Sequence, residues 1–378
     1  MTSTSTTGNR HALNTSTGRR KTAPITPSRA RCIFGKSARR RGREDDLTTK
    51  STKVTKLDSD GWPQKTQKRI WIDRGGVRTR SHGLTLMEDG LMATAYNSSN
   101  KFEIKSWDVE FRKIPARTLM ARIYQPQGDG PFPVLLDLHG GAWNNKDRTA
   151  NGLMDETIAR SGVLVVAIDL TRAPEAPYPA SVQDANYGVR WLKFKAQEWN
   201  GDGATIGVLG SSSGGHEVEL LAMRPNDARY NALKLAEAPQ LDASVNYVAT
   251  RSPVSNPYER YLNAERLGRA EMMQNSKKYF NPWETIHEAN PQEILDRGEK
   301  IALPPLLIMQ GELDDNVRPA VQERFANSYR AAGGECQYEL FAGCGHLWID
   351  EPGPMTDRAH EMVENFIAKH LHAKKLAA

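Results

Sequence analysis

Ala204-Thr205-Ile206-Gly207-Val208-Leu209-Gly210-Ser211-Ser212-Ser213-Gly214 is the stretch on which the reading of this 378-residue chain turns. The first part is a nearly continuous apolar run, the pattern of a strand buried on both faces in a parallel sheet. G-x-S-x-G follows it and opens a helix start of small residues, which is the context of a nucleophile elbow. Such a turn is tight enough to force the central serine into strained dihedrals, and side chains two residues either side would collide. Glycine is therefore needed at both flanks. Gly210 and Gly214 are centred on Ser212, whereas Ser211 has Leu209 at −2 and Ser213 has Ser211 there. Ser212 is the candidate nucleophile.

Working outward, 133–138 and 163–170 are apolar runs of the same kind. Helical periodicity lies between the runs, most clearly over 180–198 with Val182, Ala185, Val189, Leu192 and Phe194 as its apolar members. Upstream, 107–112 and 118–124 alternate polar and apolar residues, with a turn at Ile114-Pro115. Downstream, 243–249, 305–310 and 336–341 read as strands and 355–370 as an amphipathic helix. Strands alternating with helices predict an α/β fold, a mostly parallel doubly wound sheet with helices on both faces. The stretch 252–302 carries several helical patterns with Tyr258, Tyr261, Tyr279, Phe280 and Trp283, more than a crossover requires. It is expected to form a small helical cap.

His139-Gly140-Gly141-Ala142-Trp143 directly follows the strand 133–138. Acyl transfer places negative charge on a carbonyl oxygen, and backbone N–H groups aimed at it stabilise that charge. Glycines let such a loop approach a substrate closely. The amides of Gly141, Ala142 and Ser213 are the candidate oxyanion hole, His139 shapes the loop, and Trp143 is expected beside the substrate. A serine needs a base, and the base an orienting carboxylate, expected in the chain order serine, acid, histidine. Gly311-Glu312-Leu313-Asp314-Asp315-Asn316-Val317 follows the strand 305–310 and sits where functional groups collect. It offers Asp314, Asp315 and Glu312, and spacing does not separate the first two. Gly343-Cys344-Gly345-His346 follows the strand 336–341 and supplies His346 as the base. His216 lies on the helix after the elbow, His287 in the cap region, and His360, His370 and His372 on the terminal helix.

The formal net charge is +6, but the first 43 residues hold 11 Lys and Arg and no acid. From Glu44 onward there are 40 basic and 45 acidic residues, a net −5, so the folded part has no nucleic-acid character. Residues 1–66 read as a basic, Ser/Thr/Arg-rich tail, expected to be disordered. Its composition also suits a targeting segment, although Glu44-Asp45-Asp46 follows Arg39-Arg40-Arg41 where a twin-arginine signal needs an apolar stretch. Residues 67–378 read as the catalytic domain, with 67–104 as a lead-in. No window approaches the ~18 consecutive apolar residues of a membrane span. Cys32, Cys336 and Cys344 form neither a disulfide framework nor a metal motif. The expectation is a cytoplasmic protein with no metal site and no nucleic-acid or membrane partner, and with a homodimer left open.

HGGAW at 139–143, DLTRAPEAPYPA at 169–180, GSSSGGH at 210–216, GELDDNV at 311–317 and GCGH at 343–346 together resemble the acetyl esterase and hormone-sensitive-lipase-like branches of the α/β-hydrolase superfamily. The resemblance spans roughly residues 107–370. The family's acid motif, G-x-x-D-x-x-V, favours Asp314. Ala142 at the third oxyanion position, and Ser211 where the lipase-like group often has an acid, point to the smaller esterase branch. The resemblance implies hydrolysis of small esters of short or medium acyl groups without a cofactor. The same triad would serve an amidase or arylformamidase, and a non-catalytic small-molecule binder of the same fold is the remaining alternative.

Overall fold

The apolar runs become the inner strands of one eight-stranded sheet. Along the chain these are β1 (Ile104–Lys113), β2 (Thr118–Pro126), β3 (Phe132–Leu138), β4 (Leu164–Ile168), β5 (Gly201–Ser211), β6 (Val248–Arg251), β7 (Leu306–Gly311) and β8 (Cys336–Phe341). Their order across the sheet is β8-β7-β6-β5-β3-β4-β2-β1. β1 pairs antiparallel with β2 and β2 with β4, and every other pairing is parallel. The α/β-hydrolase sheet expected from the sequence is therefore the fold observed.

The computed structural model describes residues 96–377, with side chains through Leu371. Nearer the amino end it adds two short ribbons, in which Lys56–Leu57 pairs with Pro63–Gln64 and Ile72–Asp73 with Gly76–Val77. The expected tail over 1–66 and the lead-in up to residue 95 otherwise lie outside the described residues.

Side chains on a strand alternate between faces, and this sorts the core into two layers. Val134, Leu136 and Leu138 of β3 join Leu164, Val166 and Ile168 of β4 and Leu306 and Ile308 of β7 on one face. There they meet Val182, Ala185 and Val189 of α2 (Ala180–Lys195) and Val218 and Leu221 of α3 (Ser213–Met223). Leu135, Val165, Ala167, Leu307 and Met309 face the other way. They pack on Met154 and Ile158 of α1 (Gly152–Arg160) and on Val363, Phe366 and Ile367 of α9 (Pro354–Ala377). Each fully buried side chain of this size contributes about 1.5–3 kcal/mol relative to exposure, so both faces hold the sheet rigid beneath its loops.

The strand expected over 243–249 is displaced and shortened. Asp242 Oδ1 accepts hydrogen bonds from the Ser244 amide and hydroxyl and from Lys193 Nζ, which turns the chain there. Pairing with β7 starts only at Val248, opposite Leu306. The long excursion before β7 contains α4 (Pro257–Arg266), α5 (Ala270–Tyr279), α6 (Thr285–Glu288) and α7 (Pro291–Asp296). Helix α8 (Pro319–Ala331) connects β7 to β8. Among the described residues no helix is long and apolar enough to cross a membrane.

Candidate active site

β3, β5, β6, β7 and β8 run parallel, so the loops that follow them gather at one edge of the sheet, where α/β folds place their ligand sites. Ser212 stands between β5 and α3 with φ +54° and ψ −113°. That conformation is costly for a non-glycine residue, about 1–3 kcal/mol, and is held by the Ser212 amide donating to the Arg251 carbonyl at 2.9 Å. A Cβ on Gly210 would come within 2.5 Å of the Gly214 carbonyl oxygen, and one on Gly214 within 2.2 Å of the Leu138 carbonyl oxygen. Both flanking positions thus exclude any side chain. Ser212 is half-buried at the surface of a cavity, while Ser211 and Ser213 are each 1% exposed. The Ser211 hydroxyl accepts from Arg251 Nε at 3.1 Å.

Ser212 Oγ lies 3.0 Å from His346 Nε2, and His346 Nδ1 lies 2.8 Å from Asp314 Oδ2. The acid and histidine loops are fastened together: the Leu313 amide donates to the Cys344 carbonyl at 2.7 Å, and the Gly343 amide to Glu312 at 2.8 Å. Asp314 is almost fully buried. Its Oδ1 accepts from the amides of Asn316 and Val317, and its Oδ2 also accepts from Gln310 Nε2. Burial by itself would raise the pKa of this carboxyl. The hydrogen bond and charge of His346, with the Val317 and Gln310 donors, outweigh it and hold the pKa below the ordinary value. Asp315 points outward, 70% exposed, in an ion pair with Arg269. Of the three acids on this loop, Asp314 is the one that meets His346.

The loop after β3 turns through three residues of positive φ, Gly141 at +114°, Ala142 at +51° and Trp143 at +63°. The amides of Asn144 and Asn145 close the turn on the Gly141 carbonyl at 3.0 and 3.1 Å. A Cβ on Gly141 would lie 2.1 Å from the Asn145 carbonyl oxygen. The segment 169–180 braces this loop: the Ala173 amide donates to the Trp143 carbonyl at 3.0 Å, and Asp169 accepts from the Arg148 amide at 3.1 Å. Among the described residues no acceptor takes the amide hydrogens of Gly141, Ala142 or Ser213. His139 is buried, with Nδ1 2.7 Å from the Gly140 carbonyl oxygen, and burial lowers its pKa.

Trp143 is placed beneath the cavity rather than in its lining. It is 4% exposed, stacks on Tyr279 at 4.9 Å and donates from Nε1 to His216 Nδ1 at 3.2 Å. His216 is fully buried, donates to the Ala289 carbonyl at 2.6 Å, and has its pKa lowered by burial to about 4. It is a neutral structural link from α3 to the excursion. His287 pairs with Glu293, while His360 and His370 belong to α9; the side chain of His372 lies outside the described residues.

The cavity at Ser212 has a volume of about 490 Å³. Its lining includes Gly141, Ala142, Ser212 and His346, together with Arg251, Ser252, Arg260 and Asn316. A larger cavity, about 650 Å³, opens among Pro131, Gly201 and Asn246 where the parallel strands begin, far from this chemistry. Sequence reading did not single out Arg251, Ser252, Arg260 or Asn316. Arg251-Ser252 stands where a strand meets the functional edge and could have been flagged by position, whereas nothing in the local pattern distinguishes Arg260.

The chain matches the BD-FAE family over residues 122–329, 208 of its 378 residues. That span includes the loop after β3, Ser212 and Asp314 and stops short of His346. Esterase LipQ of Mycobacterium tuberculosis is 28% identical over 53% of this chain and 46% of its own length. Esterase LipC of the same organism is 29% identical over 57% of this chain and 53% of its own. The chain spans about half the length of these curated relatives. Among solved structures, the thermostable carboxylesterase EstE1 from a metagenomic library superposes with a TM-score of 0.59 at 22% identity, over 72% of this chain and 91% of that one. At that identity the likeness speaks for the fold.

Proposed function

The chain belongs to the BD-FAE family, and from that premise we propose that it is a serine carboxylesterase that works through an acyl-enzyme intermediate. The observation that carries the reading is the unbroken run of hydrogen-bond distances from Ser212 Oγ through His346 to Asp314, 3.0 Å and 2.8 Å. The esterase names of the relatives at 28% and 29% identity support the same reaction class.

Ser212 Oγ attacks the ester carbonyl carbon as its proton passes to His346 Nε2. Asp314 holds the proton on His346 Nδ1, which keeps Nε2 free to accept and stabilises the imidazolium that forms. The carbonyl oxygen becomes an oxyanion against the amides of Gly141, Ala142 and Ser213, whose hydrogens have no other acceptor among the described residues. His346 then protonates the leaving alkoxide oxygen, the C–O bond breaks, and the acyl group remains on Ser212. A water that loses its proton to His346 attacks the acyl carbon, and collapse returns that proton to Ser212 and releases the carboxylic acid. The cavity, about 490 Å³ and edged by Asn145, Arg251, Ser252, Arg260 and Asn316, has room for a short acyl group.

The test is hydrolysis of p-nitrophenyl acetate, butyrate and octanoate by the wild-type chain and by Ser212→Ala. Acetate and butyrate should be hydrolysed faster than octanoate, and the variant should lose at least about 10⁴-fold. Equal rates in the two proteins would remove Ser212 from the mechanism.

A further inference from the structure

Arg260 is a cation of the catalytic cavity that forms no ion pair among the described residues. It stands on α4, is 6% exposed and lines the same cavity as Ser212 and His346. The other two cations of that lining share one carboxylate. Arg251 pairs with Asp350 at 2.8 Å, and Lys146 lies 3.6 Å from the same carboxylate. Arg260 has no ion pair among the described residues. Asp314 is close enough to favour its charge, but both oxygens of Asp314 are committed to His346, Gln310 and two amides. Glu271, exposed on the cavity rim, makes no ion pair with it.

The guanidinium is held in place without being satisfied. Its Nε donates to Asn316 Oδ1 at 2.9 Å, and its Cζ lies 5.5 Å from the centre of the Trp143 ring. Nη1 is enclosed and has no acceptor among the described residues. Burial brings its pKa down to about 10, so the group still carries its charge at neutral pH. An enclosed charged donor without an acceptor is costly, and a carboxylate that accepts a hydrogen bond from a guanidinium answers its charge. The sealed Nη1 leaves the charge unanswered by the protein, and Nη2, which makes no hydrogen bond among the described residues and is not enclosed, is the end of the group left for a ligand in the cavity.

Resting on the serine-esterase reading above, we propose that Arg260 is a specificity-determining residue and that the preferred substrates are esters bearing a carboxylate a few bonds from the scissile carbonyl. Half-esters of dicarboxylic acids carry that group on the acyl side, and acyl esters of hydroxy acids carry it on the alcohol side.

The experiment compares kcat/KM for p-nitrophenyl hemiglutarate against p-nitrophenyl valerate, and for 4-acetoxybenzoate against 4-tolyl acetate, in the wild-type chain, Arg260→Met and Arg260→Lys. The wild type should favour one anionic ester over its neutral partner by roughly tenfold or more, as a single charge-assisted hydrogen bond implies. The ratio should fall to near one in Arg260→Met and stay intermediate in Arg260→Lys, whatever the absolute rates. Which pair shows the preference identifies the side of the ester that carries the anion. Calorimetric titration of the full chain with glutarate supplies a readout independent of turnover, with binding in the wild type and loss in Arg260→Met. Hydrolysis of the neutral esters with ratios near one and no glutarate binding overturns the proposal and leaves the esterase reading standing. Glutarate binding that depends on Arg260, with no ester hydrolysed, supports the anion site and overturns the esterase reading.

Discussion

Replacing Asp314 with asparagine tests the site through a single proton. Asp314 Oδ1 accepts from two backbone amides, Asn316 at 3.0 Å and Val317 at 2.8 Å. An asparagine must keep its oxygen there, because the reverse orientation would set its NH₂ against both donors. Its Nδ2 then faces His346 Nδ1, where the carboxylate oxygen lay at 2.8 Å. A donor in that place makes Nδ1 an acceptor and moves the ring proton to Nε2, which then has no lone pair for the Ser212 proton. Gln310 cannot relieve the conflict by flipping, since its Nε2 also donates to the carbonyls of Gly311 and Val317. The expected loss in kcat is about 10⁴-fold, as for a triad locked in the wrong tautomer, or about 5 kcal/mol in the barrier. Two donors left facing each other should also cost the fold about 1–3 kcal/mol. The assay is kcat and KM on p-nitrophenyl butyrate, with Tm measured alongside. Asp315→Asn is the control: that carboxylate is 70% exposed and bound to Arg269, an exposed pair worth at most about 1 kcal/mol, so activity should change by less than about twofold. A folded Asp314→Asn protein within about 100-fold of wild type, or an equal loss from Asp315→Asn, would mean that Asp314 does not set the tautomer of His346.

Two more outcomes follow from the packing around the elbow and beneath the cavity. Gly214→Ala puts a Cβ 2.2 Å from the Leu138 carbonyl oxygen, so the elbow must open; ester hydrolysis should fall at least about 100-fold, and a variant with wild-type kcat would show that the turn is more yielding than this contact allows. His216 stays neutral in the fold with a pKa near 4, against about 6.5 when unfolded, so from pH 6.5 down towards 4 the unfolded chain binds the extra proton. Its contribution is complete above pH 6.5 and falls by roughly 3 kcal/mol as pH drops to 4. The Tm difference between wild type and His216→Asn should therefore narrow between pH 7 and pH 4.5, and a constant difference would remove His216 from the acid response.

Local pattern determined much of this protein. Continuous apolar runs can be satisfied only by burial on both faces, so β3, β4, β5 and β7 were legible as inner strands, within a few residues at their ends. Gly210 was legible because its steric demand lies within the elbow, against Gly214, whereas Gly214 matched the pattern but is constrained by the Leu138 carbonyl of the neighbouring strand. Strand 243–249 was misplaced because Lys193, some 49 positions earlier, helps hold the turn at Asp242.

Tertiary structure decided what depends on distant partners. Asp314 and Asp315 are chemically alike and adjacent, and only the approach of the loop carrying His346, 32 residues away, separates one as buried and bonded from the other as exposed. Trp143 looked like a cavity residue from its place after the glycines, yet Tyr279 and His216, brought from other elements, enclose it below. Arg260 carries no local signal at all. Its charge matters because α4 brings it into the cavity of Ser212 and His346 with no ion pair among the described residues, a relation created by the fold rather than by any neighbouring residue.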